Sequence, residues 1–112
     1  ISNHGGRQVD GAIAAIEALP AIAAVVQGKV PILIDSGIRG GADVFKALAL
    51  GASAVGIGRP YCYALAIGGQ AGVEELLLNW MADFELTMGL AGCLNVEEVR
   101  QTSLLDRQPH PL

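Results

Sequence analysis

The spacing of apolar positions divides the chain into short continuous runs and longer stretches of helical period. Ile13, Ile16, Leu19, Ile22, Val25 and Val26 recur on one face and predict a helix over 12–27, restarted at Pro20 and stopped at Gly28. Ahead of it, residues 1–3 read as the tail of a strand and 4–11 as the loop beyond. Val30-Pro31-Ile32-Leu33-Ile34 is unbroken and apolar, which suits a parallel strand buried on both faces. Residues 42–50 read as a helix closed by Gly51, and 54–57 as the next strand. A long amphipathic helix is predicted over 71–90, with Val73, Leu76, Leu77, Trp80, Met81, Phe84 and Met88 as its core stripe and Gly92 at its end. Asn95 followed by Glu98 resembles a capping box for a short last helix. Residues 103–112, with Pro109 and Pro111, read as a loosely ordered tail in which His110 suggests no chemistry.

Strand and helix alternating through short connections mean an α/β fold with parallel strands. An open doubly wound sheet and a slice of a (β/α)8 TIM barrel both satisfy that order. Two features favour the barrel. The dinucleotide pattern G-x-G-x-x-G is absent, and two successive glycine-arginine loops ahead of a terminal helix match the loops after strands seven and eight that often bind phosphate. The expected architecture is the C-terminal part of such a barrel over 1–102, followed by C-terminal helices. The chain opens at Ile1 inside a motif and is read as the carboxy-terminal piece of a longer protein.

Composition narrows the function classes. Hydrophobic residues make up 52% of the chain and charged residues 16%, which argues against disorder. A net charge of -4 disfavours a general nucleic-acid partner; a basic pocket within an acidic chain points to a small anionic ligand. Cys62 and Cys93 form neither a disulfide framework nor a zinc pattern and suit two buried or semi-buried thiols in a reducing cytosol. No apolar stretch approaches the roughly 20 residues of a membrane span, and no signal-peptide pattern is present. A cytoplasmic protein without a metal site is expected.

The chemistry is concentrated in three glycine-rich segments, which hold three of the five arginines. Ser2-Asn3-His4-Gly5-Gly6-Arg7-Gln8 sets an imidazole that can accept a proton three residues from a guanidinium that can clamp a carboxylate. Asp35-Ser36-Gly37-Ile38-Arg39-Gly40-Gly41 offers the N–H groups of Gly37, Gly40 and Gly41 at a helix start, with the full charge of Arg39 beside them. Gly56-Ile57-Gly58-Arg59-Pro60 is either a second such loop or a plain strand end; next to the first, it makes a phosphate gripped from both sides the simpler account. Asp10 is a helix cap or a partner of Arg7. Glu74, Glu75, Glu97 and Glu98 read as solvated acids near helix starts.

These three motifs, with the connecting Phe45-Lys46-Ala47-Leu48-Ala49-Leu50-Gly51-Ala52, resemble the FMN-dependent 2-hydroxy acid dehydrogenase/oxidase family in order and spacing. The Asp-Ser-Gly form of the second motif is more similar to the bacterial lactate- or mandelate-oxidising branch than to glycolate oxidase. The resemblance implies oxidation of an L-2-hydroxy acid, lactate-like, to the 2-oxo acid. His4 would be the base, acting as two electrons pass to the flavin as hydride or through a carbanion. Arg7 would clamp the substrate carboxylate, and Asp35 would orient His4 and stabilise its imidazolium. Ser2, Asp35 and Ser36 would lie by the cofactor, while Gly37, Arg39, Gly58 and Arg59 would hold the FMN phosphate. The electron acceptor is left open among oxygen, a quinone and a cytochrome. A homo-oligomer is expected of the full-length protein, and the family's flavin-facing lysine and substrate-facing tyrosines are expected from upstream sequence. The isolated chain is therefore expected neither to bind FMN tightly nor to turn over. Competing readings are an IMP dehydrogenase-like or isopentenyl diphosphate isomerase-like phosphate-binding barrel, neither of which has the His4–Arg7 pair, and a truncated inactive remnant.

Overall fold

A computed structural model describes residues 1–105; residues 106–112, with Pro109, His110 and Pro111, lie outside the described part. The first helix, α1 (Ala15–Val26), is followed by β1 (Leu33–Ile34), α2 (Gly41–Ala49), β2 (Ala54–Val55), α3 (Arg59–Ala91) and α4 (Val96–Arg100). β1 and β2 pair in parallel, with Leu33 opposite Ala54 and Ile34 opposite Val55. The ladder continues beyond these short strands: the Ser53 N–H donates to the Ile32 carbonyl at 2.7 Å, and the Gly56 N–H to the Ile34 carbonyl at 2.7 Å. On the other side of β1 the Ile1 ammonium donates to the Leu33 carbonyl at 2.5 Å, and the Asp35 N–H to the Ile1 carbonyl at 3.0 Å. The opening residues thus run as a third parallel segment, as the sequence suggested.

Two apolar clusters hold the layers together. Leu19 of α1 packs with Ile32, Ile34, Ile38 and Ala47, and Phe45 and Leu48 of α2 pack with Cys93 and Val99 beneath α4. The Phe45 and Phe84 rings meet at a tilt, centroids 6.5 Å apart. The expectation that β1 is buried on both faces is corrected. Ile34 is 1% exposed while its neighbour Leu33 is 62% exposed. The helices cover only the Ile32/Ile34 face of the strand; the other face is an open apolar surface.

Several helix expectations are also revised. Helix α1 begins at Ala15, leaving Ile13 exposed ahead of it, and runs unbroken through Pro20. Proline deletes only the N–H bond to the Ile16 carbonyl there, and Leu19 anchors the helix in the core. The helix stops at Gln27, whose left-handed conformation (φ 51°) lets its N–H reach the Ala23 carbonyl at 2.9 Å. Helix α3 begins twelve residues earlier than expected, with proline in its first turn, and bends at Gly69 (φ 58°, ψ −144°). Its stripe is narrower than read: Val73, Leu76, Trp80, Phe84 and Met88 are half-buried, while Leu77 and Met81 are exposed. The capping box at Asn95 is present: Asn95 Oδ1 accepts the Glu98 N–H at 3.0 Å, and Glu98 Oε2 accepts the Leu94 N–H at 2.7 Å.

Candidate functional site

The loops that leave the C-terminal ends of the three parallel segments enclose one cleft of about 670 Å³. It brings together the side chains expected to act on cofactor or substrate: Ser2, His4 and Arg7 from the first loop, Asp35, Ser36 and Arg39 from the second, and Arg59 from the third; Asp10 does not line it. Gly37 and Gly58 line it as well, and a Cβ at either would meet nothing within 4 Å, so their backbone is open to a ligand. His4, Arg7, Arg39 and Arg59 are all exposed to the cleft or its mouth.

Two serine hydroxyls tie the first loop to the second. Ser2 Oγ donates to Asp35 Oδ1 at 2.6 Å, and Ser36 Oγ to the same oxygen at 2.5 Å. In turn Ser2 Oγ accepts the His4 N–H at 3.1 Å, and Ser36 Oγ accepts the Gly5 N–H at 3.1 Å. The backbone of the histidine loop therefore hangs on the Asp35 carboxylate through one intervening hydroxyl on each side. This over-determination holds His4 at φ 54° and Ser36 at φ 75°, left-handed conformations that side-chain-bearing residues seldom adopt. Asn3 completes the loop, its Oδ1 accepting the Gly6 N–H and its Nδ2 donating to the Ile13 carbonyl, both at 3.1 Å. Arg59 reaches across from α3, its Nη2 at 3.5 Å from the Gly5 carbonyl.

The same contacts set the charge of the site. The Ser2 hydroxyl, then that of Ser36, hold the Asp35 carboxyl below the ordinary aspartate value of 3.8, against a smaller opposing effect of burial; the chain's amino group and His4 add weaker attraction. Among the described residues the hydrogen bonds to this carboxylate come from the two serines. Asp35 is thus joined to His4 through the Ser2 hydroxyl and the His4 N–H.

The second loop is also tied to the helices around it. Two N–H groups around the start of α2 are taken within the protein, and neither is among those of Gly37, Gly40 and Gly41 that the sequence singled out. Asp83 Oδ2 of α3 accepts the Ala42 N–H at 3.0 Å, and Asp43 Oδ2 accepts the Arg39 N–H at 2.9 Å. Gly41 serves helix packing, since a Cβ there would stand 2.2 Å from the Phe84 nitrogen. At the start of α3, by contrast, no side chain caps the helix after Gly58. There Pro60 has no N–H, and the Tyr61 N–H donates to the Gly58 carbonyl at 3.2 Å.

Sequence reasoning missed Asp83, which falls among exposed positions of a helix, and the linking role of Ser2 and Ser36, which depends on a contact between residues 33 apart. It also left out Tyr61 and Tyr63, which line the cleft from the first turns of α3, and it read Cys62 as buried or semi-buried, whereas Cys62 is exposed there and Cys93 alone is buried. Pro60 was the available signal that a helix begins there. Among the described residues no cluster of metal-ligating side chains occurs, and no helix is long and apolar enough to cross a membrane.

Comparison with known proteins places this geometry. The family model described as FMN-dependent dehydrogenase matches residues 1–106. An L-lactate oxidase of Lactobacillus jensenii is 54% identical over 104 residues, which is 93% of this chain and 26% of that protein. A mandelate oxidase variant solved with a monooxide FMN adduct superposes with a TM-score of 0.86 at 53% identity, over 90% of this chain and 32% of its own. A Pediococcus acidilactici protein described as a lactate oxidase gives 0.92 at 47% identity, over 96% and 30%. The chain thus spans about a quarter to a third of the length of these relatives.

Proposed function

The chain belongs to the FMN-dependent dehydrogenase family, and from that premise we propose that it carries the proton-transfer, carboxylate-binding and phosphate-binding groups of an FMN-dependent oxidation of a small L-2-hydroxy acid to the 2-oxo acid. A lactate-like acid is the substrate class favoured by its relatives. The observation that carries the reading is the convergence of His4, Arg7, Arg39 and Arg59 on one cleft at the C-terminal ends of parallel strands, where barrels of this kind place their chemistry. The family match favours this reading over an IMP dehydrogenase-like or isopentenyl diphosphate isomerase-like barrel.

The residues present fit the cofactor. A cleft of about 670 Å³ is of the size that small-molecule sites have. Two guanidiniums, the open backbone at Gly37 and Gly58, and the uncapped start of α3 form a donor set suited to a phosphate. Arg39, Arg59, Gly37 and Gly58 would hold that phosphate, with Ser2, Asp35 and Ser36 beside the cofactor. FMN, when bound, supplies the two-electron acceptor.

The chain's own groups do the rest. Arg7 binds the substrate carboxylate through paired hydrogen bonds and so fixes the reacting carbon. His4 takes the hydroxyl proton. Asp35, kept ionised by the two serines, favours the imidazolium that results. The serine links hold the His4 backbone in its left-handed conformation at the cleft.

The test is made in the full-length protein that carries this segment. In His4→Gln, reduction of bound FMN by L-lactate, followed by stopped-flow absorbance, is expected to slow by about 10²–10⁴-fold. Arg7→Met is expected to act mainly by raising KM. An unchanged reduction rate in His4→Gln would end the assignment.

A further inference from the structure

We propose that Asp83, far from the cleft in sequence, is a positioning residue for the phosphate loop, capping α2 from the neighbouring helix and thereby fixing Arg39. The inference rests on the reading above, in which the loop after β1 holds the FMN phosphate.

Helix α2 has no cap of its own. Its N-cap position is Gly40, and no side chain of the flanking turn bonds to the helix start. The missing acceptor comes from α3: Asp83 Oδ2 takes the Ala42 N–H at 3.0 Å and lies 3.2 Å from where a Cβ of Gly40 would stand. Two glycines make that approach possible. Any side chain at Gly41 would strike the Phe84 backbone, so the two helices touch main chain to main chain beside the carboxylate. Thr87 Oγ1 donates to the Asp83 carbonyl at 2.7 Å, adding a bond to the turn of α3 that presents the carboxylate.

The loop ahead of α2 is held at three successive points. Ile38 is buried in the core, the Arg39 N–H is bound to Asp43, and the Ala42 N–H is bound to Asp83. Ile38 packs against Leu19 of α1 and Ile34 of β1, and Asp43 belongs to α2 itself. Of the two side chains that accept a backbone N–H here, only Asp83 comes from a different element. Asp83 touches neither cofactor nor substrate in this scheme; it acts through the backbone that carries Arg39.

The experiment compares two flavins that differ in the phosphate. Dissociation constants of FMN and riboflavin are measured by flavin fluorescence for the full-length protein and for Asp83→Ala and Asp83→Asn. Asp83→Ala is expected to weaken FMN by about tenfold, in line with loss of one helix cap, while riboflavin changes by less than about twofold. Asp83→Asn is expected to restore FMN affinity, because a carboxamide oxygen also accepts from Ala42. Parallel weakening of both flavins, or no change in either, overturns the role. Should Asp83→Ala fail to fold, Asp83→Glu replaces it: the displaced carboxylate is expected to lose FMN selectively, and a wild-type ratio of the two affinities overturns the proposal. Wild-type protein that binds neither flavin overturns the underlying functional reading, and this role with it. Wild-type protein that prefers FMN, alongside variants with the same preference, ends only the role given to Asp83.

Discussion

Asp35 has the most consequential surroundings of any single side chain in the cleft. Its pKa is lowered in the folded chain, chiefly by the Ser2 hydroxyl and then by that of Ser36. A carboxyl whose folded pKa lies below its unfolded value adds stability that is present in full above the unfolded value and is lost as pH falls through the folded one. Ser2→Ala and Ser36→Ala are each expected to raise the Asp35 pKa and to move the onset of acid unfolding to higher pH. Side-chain carboxyl NMR titration measures the first and circular dichroism against pH the second; an Asp35 titration unmoved in both variants would contradict the assigned cause. By the same sign, Asp35 is already ionised at neutral pH and gives no titration there. Much of this was legible in the sequence as chemistry but not as connection. The His4–Arg7 segment announces itself because reactive groups stand among glycines, whereas nothing local in Ser2 or Ser36 reveals that both hydroxyls meet one carboxylate oxygen.

Among the elements, the packing of α2 on α3 is the contact most dependent on a single position. A Cβ at Gly41 would lie 2.2 Å from the Phe84 nitrogen and 2.7 Å from the Asp83 carbonyl carbon, both backbone atoms that cannot swing aside. Gly41→Ala is expected to destabilise the fold by about 1–3 kcal/mol, the usual cost of forcing an extra carbon into a packed contact. Urea denaturation of the full-length protein checks this, and an unchanged midpoint would show that the helices part without cost. The element pattern itself was largely readable, because period and punctuation agree in α2 and α4. It failed where tertiary context overrides local rules. Pro20 was read as restarting the helix, yet the one bond it removes in the middle of α1 is outweighed by the burial of Leu19. The first leg of α3 was missed because its exposed Tyr61, Tyr63, Leu65 and Ile67 show no buried face to produce a period.

For the whole molecule, three parallel segments in sequential order, with helices over one face, agree with the expected part of a larger α/β assembly. The face of β1 that carries Leu33 is open, and apolar surface of this kind is ordinarily covered. The 112-residue chain by itself is accordingly expected to bind FMN weakly and to show no turnover with L-lactate. Fluorescence titration with FMN and an oxygen-consumption assay test this, and a yellow, active preparation of the isolated chain would refute it. The alternation of strand and helix made the fold class readable from sequence. The one-sided burial was not, because a continuous apolar run looks the same whether one face or both are covered.

The cap that Asp83 places on α2 also sets an order of events during synthesis. The two partners are separated by 41 positions, and a ribosome adding about 5–20 residues per second needs roughly two to eight seconds to bridge them. Throughout that interval Arg39 and its turn are already translated but lack their clasp. A nascent chain built this way fastens the turn of Arg39 only after the later helix has been made.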